Sequence, residues 1–241
     1  MARAVILKYV MVTGMACPPP EVIASLDEGE QARMLEALMQ RQREVEASLR
    51  SGDLWPGMGA SEQKIIQKPT EMTPQTMVDI SWMAESEECL LWALGLIDGI
   101  PPWDTQADVE HLKKLPEGTI AELMTSAELR PAEEISEQRE IAELCHWRSR
   151  TRKLQEGSSP VELPDGLTFS EIVRMSAERA ESDGLFISID GDFPAFGRAY
   201  SSISPEEWSI ATSIAMERHK ALNWLCGFAP GNRWDETPTD T

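Results

Sequence analysis

The stretch TPQTMVDISWMAESEECLLWALGLID, Thr73 to Asp98, decides the fold. Thr73-Pro74 is a helix start. A hydroxyl N-cap accepts from an early amide, and proline fits the first turn, where its missing N–H has no partner to lose. The residues that follow keep a helical period and turn apolar on nearly every side towards the end. A helix of that kind has to be enclosed by other elements. Asp98-Gly99 and Pro101-Pro102 mark its expected end.

The elements around it follow from the same punctuation. Asp27-x-x-Glu30 is a capping box opening an amphipathic helix that stops at Gly52, with Leu35, Leu38, Met39, Gln42, Val45 and Leu49 in period. WPGMGASEQKIIQKP reads as a loop with at most one helical turn. Shorter helical pieces are expected around ADVEHLKKL and TIAELMTSAEL. Pro131 opens a long helix ended by Gly157, and SSPVELPDG is a surface connection. Thr168-x-x-Glu171 caps a helix to about Ser182. LFISIDGDFPAFGRAY alternates and holds Asp-Gly, so a short hairpin is expected there. Ser204-Pro205-Glu206-Glu207 starts the last helix, which Gly227 stops. The fold class is therefore mainly α: a single irregular multi-helix bundle over 1–241, with at most one short β-hairpin near residues 185–200.

Charge narrows the partners. Among 241 residues, 41 acids stand against 22 bases, a formal charge of -19. Such a surface repels phosphate backbones and anionic membranes and suits a basic protein partner. Cys17, Cys89, Cys145 and Cys226 are widely separated and form no Cys-x-x-Cys pair, which reads as free thiols in a reducing, cytoplasmic compartment. MARAVILKYVMVTGMAC has the outline of a secretion signal, but Lys8 interrupts the apolar run. A core helix packed through Val5, Leu7, Val10 and Val12 is the expectation.

Polar residues on apolar stripes are the candidate functional groups. Glu85 interrupts Val78, Trp82, Cys89, Trp92 and Leu96; Arg218 interrupts Ala211, Ile214, Ala221, Leu222 and Leu225. A buried charge needs a partner, so a Glu85–Arg218 pair joining the two helices is expected. His146 shares a helix face with Ile135, Arg139 and Ala142, and Arg148 opens the basic run RSRTRK. Glu85, His146, Arg148, Arg218 and His219 form one candidate polar cluster, with Trp82, Trp92 and Trp224 as walls. Glu143-x-x-His146 has the spacing of a di-iron carboxylate ligand pair but lacks the second copy such a site needs. No zinc-protease motif, phosphate-cradling glycine loop or nucleophile elbow occurs, so neither metal nor cofactor is expected.

The C-terminal segment 227–241 carries Trp234 between a Pro-Gly-Asn turn and the acids Asp235, Glu236 and Asp240. An aromatic of that size is an anchor, so the tail is expected to dock on the helical body. Trp234, Asp235 and Asp240 form a second candidate site, with the arginines of RSRTRK or a cation as partners for its acids.

RAVILKYV, SWMAESEECLLWALGLID, HWRSRTR, GDFPAFGRAY, ERHKALNWLCG and WDETPTDT together resemble the bacterial domain of unknown function numbered 4272. The resemblance extends over nearly the whole chain. It implies one helical domain in an intracellular protein, with the N-terminal segment and the tail as parts of the fold. It transfers no catalytic residue. Two readings stay open. One is an acidic interaction module. The other is an enzyme or small-ligand binder with the polar cluster between the Thr73, Pro131 and Ser204 helices.

Overall fold

The structure, a computed structural model, describes residues 1–115, 127–157, 163 and 166–241. Most of TIAELMTSAEL and of SSPVELPDG lies outside the described residues. The fold is mainly α, 70% helical, with one short antiparallel sheet among the described residues. The residues gather into two compact units. The first comprises Met1–Ile100, Asp108–Arg130 and Ala229–Thr237; the second comprises Pro101–Ala107, Pro131–Phe228 and Pro238–Thr241.

In the first unit, α1 (Ala2–Ala16) and α2 (Pro20–Ser25) precede α3 (Glu28–Ser51), α4 (Ala60–Gln67) and α5 (Pro74–Ala93). Helix α1 packs on α5. A Cβ at Gly14 would lie 2.8 Å from the Ile80 side chain, so the bare backbone there permits the close approach. Ala4, Leu7, Met11 and Gly14 are buried at helical spacing. Val5 and Val12 only flank that face, so it is rotated from the expected one.

Three further expectations change. Helix α3 has the expected capping box but buries only Val45 and Leu49; Leu35 and Met39 are 37% and 56% exposed. The supposed loop contains a full helix, α4. The Glu62 carboxylate accepts from the Gly59 amide at 3.0 Å and closes its first turn. Helix α5 stops at Ala93, short of Asp98-Gly99. Gly95 takes φ +68°, and the Leu96 amide returns to Leu91 O at 3.0 Å, so the glycine inside the apolar run ends the helix. Val78, at the start of the proposed stripe, is 49% exposed. From Ala84 to Leu94 every residue is buried, the acids Glu85, Glu87 and Glu88 among them. Residues Ala229–Thr237 complete this unit. Trp234 is 6% exposed and lies under the Arg3 guanidinium, 4.5 Å from the ring centroid. Arg3 also pairs with Glu62.

The second unit holds α6 (Ala132–Glu156), α7 (Phe169–Ser182) and α8 (Pro205–Leu225), with α6 packed along α8. The Thr168–Glu171 and Ser204–Glu207 capping boxes are both closed. The expected hairpin is there: β1 (Pro194–Ala195) pairs with β2 (Arg198–Ala199), Pro194 opposite Ala199. Val173, Ala177, Phe193, Tyr200 and Ile203 form a core beneath it.

No helix among the described residues is long and apolar enough to cross a membrane.

Candidate functional site

The sequence-predicted site residues divide between the units. Glu85, Trp82, Trp92, Trp234 and Asp235 belong to the first; His146, Arg148, Arg218, His219, Trp224 and Asp240 belong to the second. Within the second unit the four cluster residues fall into three separate networks.

Helices α6 and α8 bring His146 and His219 together, Nδ1 to Nδ1, at 3.1 Å. The proton positions follow from their neighbours. Arginine only donates, so Asn223 presents Oδ1 to Arg139 Nε at 2.8 Å. The Asn223 Nδ2 group then donates to Pro238 O and to His219 Nε2, both at 2.8 Å. His219 Nε2 is therefore the acceptor, and its proton sits on Nδ1, donated to His146 Nδ1. His146 keeps its own proton on Nε2. Both rings are buried, at 6% and 0% exposure. Burial, then Arg150, pulls His146 down to about 4; burial, then His146 and Arg139, does the same to His219. Both rings are neutral at pH 7.

This neutrality sets a pH dependence. The folded values lie below the unfolded value near 6.5, so the histidine contribution is complete above pH 6.5 and is lost as pH falls towards 4. At pH 5.5 the pair should have lost about 3 kcal/mol of stability. Urea unfolding of the native chain and of His146→Gln between pH 7.5 and 5.5 checks this. The variant should lose about half of the drop; an identical drop in both proteins would contradict the assignment.

Arg148, two residues along α6, turns to another partner. It grips Asp192 in a fork, Nε to Oδ1 at 2.7 Å and Nη2 to Oδ2 at 2.9 Å. The Phe193 and Ser201 amides donate to the same carboxylate at 2.7 and 2.9 Å. Burial works to raise the Asp192 carboxyl, but Arg148 and the two amides outweigh it and hold it below the ordinary value. Arg152 donates to Tyr200 O and Ile203 O, both at 3.1 Å. Arg150 is looser, 4.0 Å from a fully exposed Asp240.

Arg218 is 0% exposed and reaches the loop Pro101–Thr105. It donates to Pro101 O and Thr105 O at 2.7 Å and to Pro102 O at 3.2 Å, and lies over Trp103, 5.1 Å from the ring centroid. Glu143 pairs with Arg139 at 2.8 Å, so the Glu-x-x-His spacing does not converge on one point. Among the described residues, no three His, Cys, Asp or Glu side chains are grouped to hold a metal ion.

Several polar residues of these networks were not singled out from the sequence. Asn223 sits four residues beyond His219 on the same helix face, a spacing that could have found it. Asp192 lies on a turn 44 residues from Arg148, and no local signal links them. Glu87, in the first unit, is 1% exposed with neither oxygen hydrogen-bonded. Burial keeps its carboxyl well above the usual range, against the pull of Arg3 and Lys8.

A family model, Domain of unknown function (DUF4272), matches residues 1–173. The chain belongs to the DUF4272 family. The match covers α1 to α6 and the start of α7, including His146 and Arg148 of the DUF4272 chain. Arg218, His219 and Trp234, and the motifs GDFPAFGRAY and WDETPTDT, lie beyond it. No curated protein and no solved structure matches this DUF4272 chain.

Proposed function

We propose that this DUF4272 chain is a cytoplasmic interaction module whose acidic surface binds a basic protein. One observation carries the reading: the buried charges nearly cancel. Arg3, Arg148, Arg152 and Arg218 are buried, and so are Glu62, Glu85, Glu87, Glu88 and Asp192. Most of the excess of acids over bases among the described residues is therefore displayed outside. A surface of that sign steers cationic partners and repels nucleic acid. The internal engagement of Arg148, Arg152 and Arg218, and the burial of the neutral His146–His219 pair, support a structural role for the polar cluster.

Native mass spectrometry of the protein isolated from its own cells tests this. The expected result is a complex with a basic protein that persists near ~50 mM salt and dissociates near ~500 mM, as screening shortens the reach of surface charge. A chain that carries no protein at low salt, or a complex indifferent to salt, would overturn the reading.

A further inference from the structure

The second unit contains a pocket of about 280 Å³ beside the loop that Arg218 holds. Trp103, Phe186 and Phe193 supply aromatic wall, Ile141 an aliphatic one, and Cys145 lies at the α6 side. An apolar cavity of roughly 150 Å³ accepts a benzene ring. This one has room for a ring and a short chain.

One lining residue carries a formal charge, and its sign is negative: Asp104. Its Oδ2 accepts from the Phe196 amide at 2.5 Å, and the Thr105 hydroxyl stands 3.4 Å from Oδ1. A carboxylate has about four lone-pair sites, so acceptor capacity remains on Asp104. The thiol at Cys145 adds no competing anion, because burial pushes it up to about 12. The nearby cation, Arg218, directs its guanidinium to the carbonyls of Pro101, Pro102 and Thr105.

The backbone beside the pocket is strained. Phe196 sits at φ +51° and Gly197 at +71°, the two central positions of the β1–β2 turn. Asn, Asp or Gly ordinarily fills the first of these, and a bulky side chain is disfavoured there. The bond to Asp104 holds the Phe196 amide in that conformation. Strain of this kind accumulates where surrounding structure preforms a site.

We propose that this pocket binds an arylalkyl ammonium ion, with the ring among Trp103, Phe186 and Phe193 and the ammonium group on Asp104. Aromatic faces attract cations, and a half-buried carboxylate in an apolar recess selects a donor of positive charge. The charge of the whole chain adds an attraction of the same sign.

Calorimetric titration of the full chain at pH 7 in ~150 mM salt tests this, with phenethylammonium, 2-phenylethanol and 3-phenylpropionate as probes. The ammonium should bind with a dissociation constant below about 1 mM, a modest efficiency for a ligand of that size. The alcohol should be at least ~10-fold weaker and the carboxylate undetectable. Asp104→Asn keeps an acceptor for the Phe196 amide and should lose ~10-fold or more for the ammonium alone. Cys145→Leu fills the pocket from α6 and should abolish binding of both the ammonium and the alcohol. The proposal falls if the ammonium does not bind, if alcohol or carboxylate binds as well, or if Asp104→Asn binds as before. Should Asp104→Asn fail to fold, unchanged binding in Cys145→Leu would be decisive against it.

Discussion

Replacing Arg218 with alanine should lower the unfolding free energy by about 3–5 kcal/mol, measured by urea unfolding at pH 7. The side chain is 0% exposed and satisfies three backbone carbonyls, of Pro101, Pro102 and Thr105. Each hydrogen bond from the charged guanidinium to these half-buried carbonyls is worth about 1.5–3 kcal/mol, and the cavity left by the buried side chain adds to that. Arg218→Lys should recover less than half of the loss. An ammonium is a point charge on a flexible stem, whereas the planar guanidinium fork reaches several acceptors at once. Trp103 lies against this guanidinium, so its emission should shift to the red as the loop loosens. A lysine variant as stable as the native chain would contradict the assignment.

Asp192→Asn should cost nearly as much as Asp192→Ala, about 3–5 kcal/mol. The native carboxylate accepts from four N–H groups, two on Arg148 and one each from Phe193 and Ser201. An asparagine can offer one oxygen. Its amino group would face donors, and Arg148, 1% exposed, would keep its charge without a counter-ion. The pH dependence carries its own sign. Because the folded Asp192 carboxyl lies below its unfolded value, this contribution is present above the unfolded value and is lost as pH falls through the folded one. Unfolding midpoints of the two variants at pH 7 check the prediction; a loss under about 1 kcal/mol for Asp192→Asn would refute it.

What could be read from the sequence was local. The capping boxes at Asp27, Thr168 and Ser204, and the proline start after Thr73, are complete within four residues, and each opens a helix where expected. The Asp190-Gly191 turn and the neighbouring hairpin are local for the same reason. Errors came where two local signals competed. Gly59 and Pro69 compete with the helical pattern of ASEQKIIQ, which suggests one turn where α4 runs for eight residues. Gly95 sits inside an apolar run, which hides that it terminates α5. The site networks were legible in part. The shared face of Arg139 and His146 was visible, and both residues join the network around Asn223 and His219. The Arg148–Asp192 and Arg218–Pro101 contacts span 44 and 117 residues, and neither end carries a local mark of the other.

The first unit is stitched from distant parts of the chain. Trp234 covers Arg3, and Ala229–Thr237 belongs with Met1–Ile100. Translation runs at about 5–20 residues per second, so on the order of 10 s separates the emergence of Ile100 from that of Ala229. During that interval the Arg3–Glu62 pair lacks its aromatic cover. Closure of the first unit therefore waits on a segment made well after the helices it packs against.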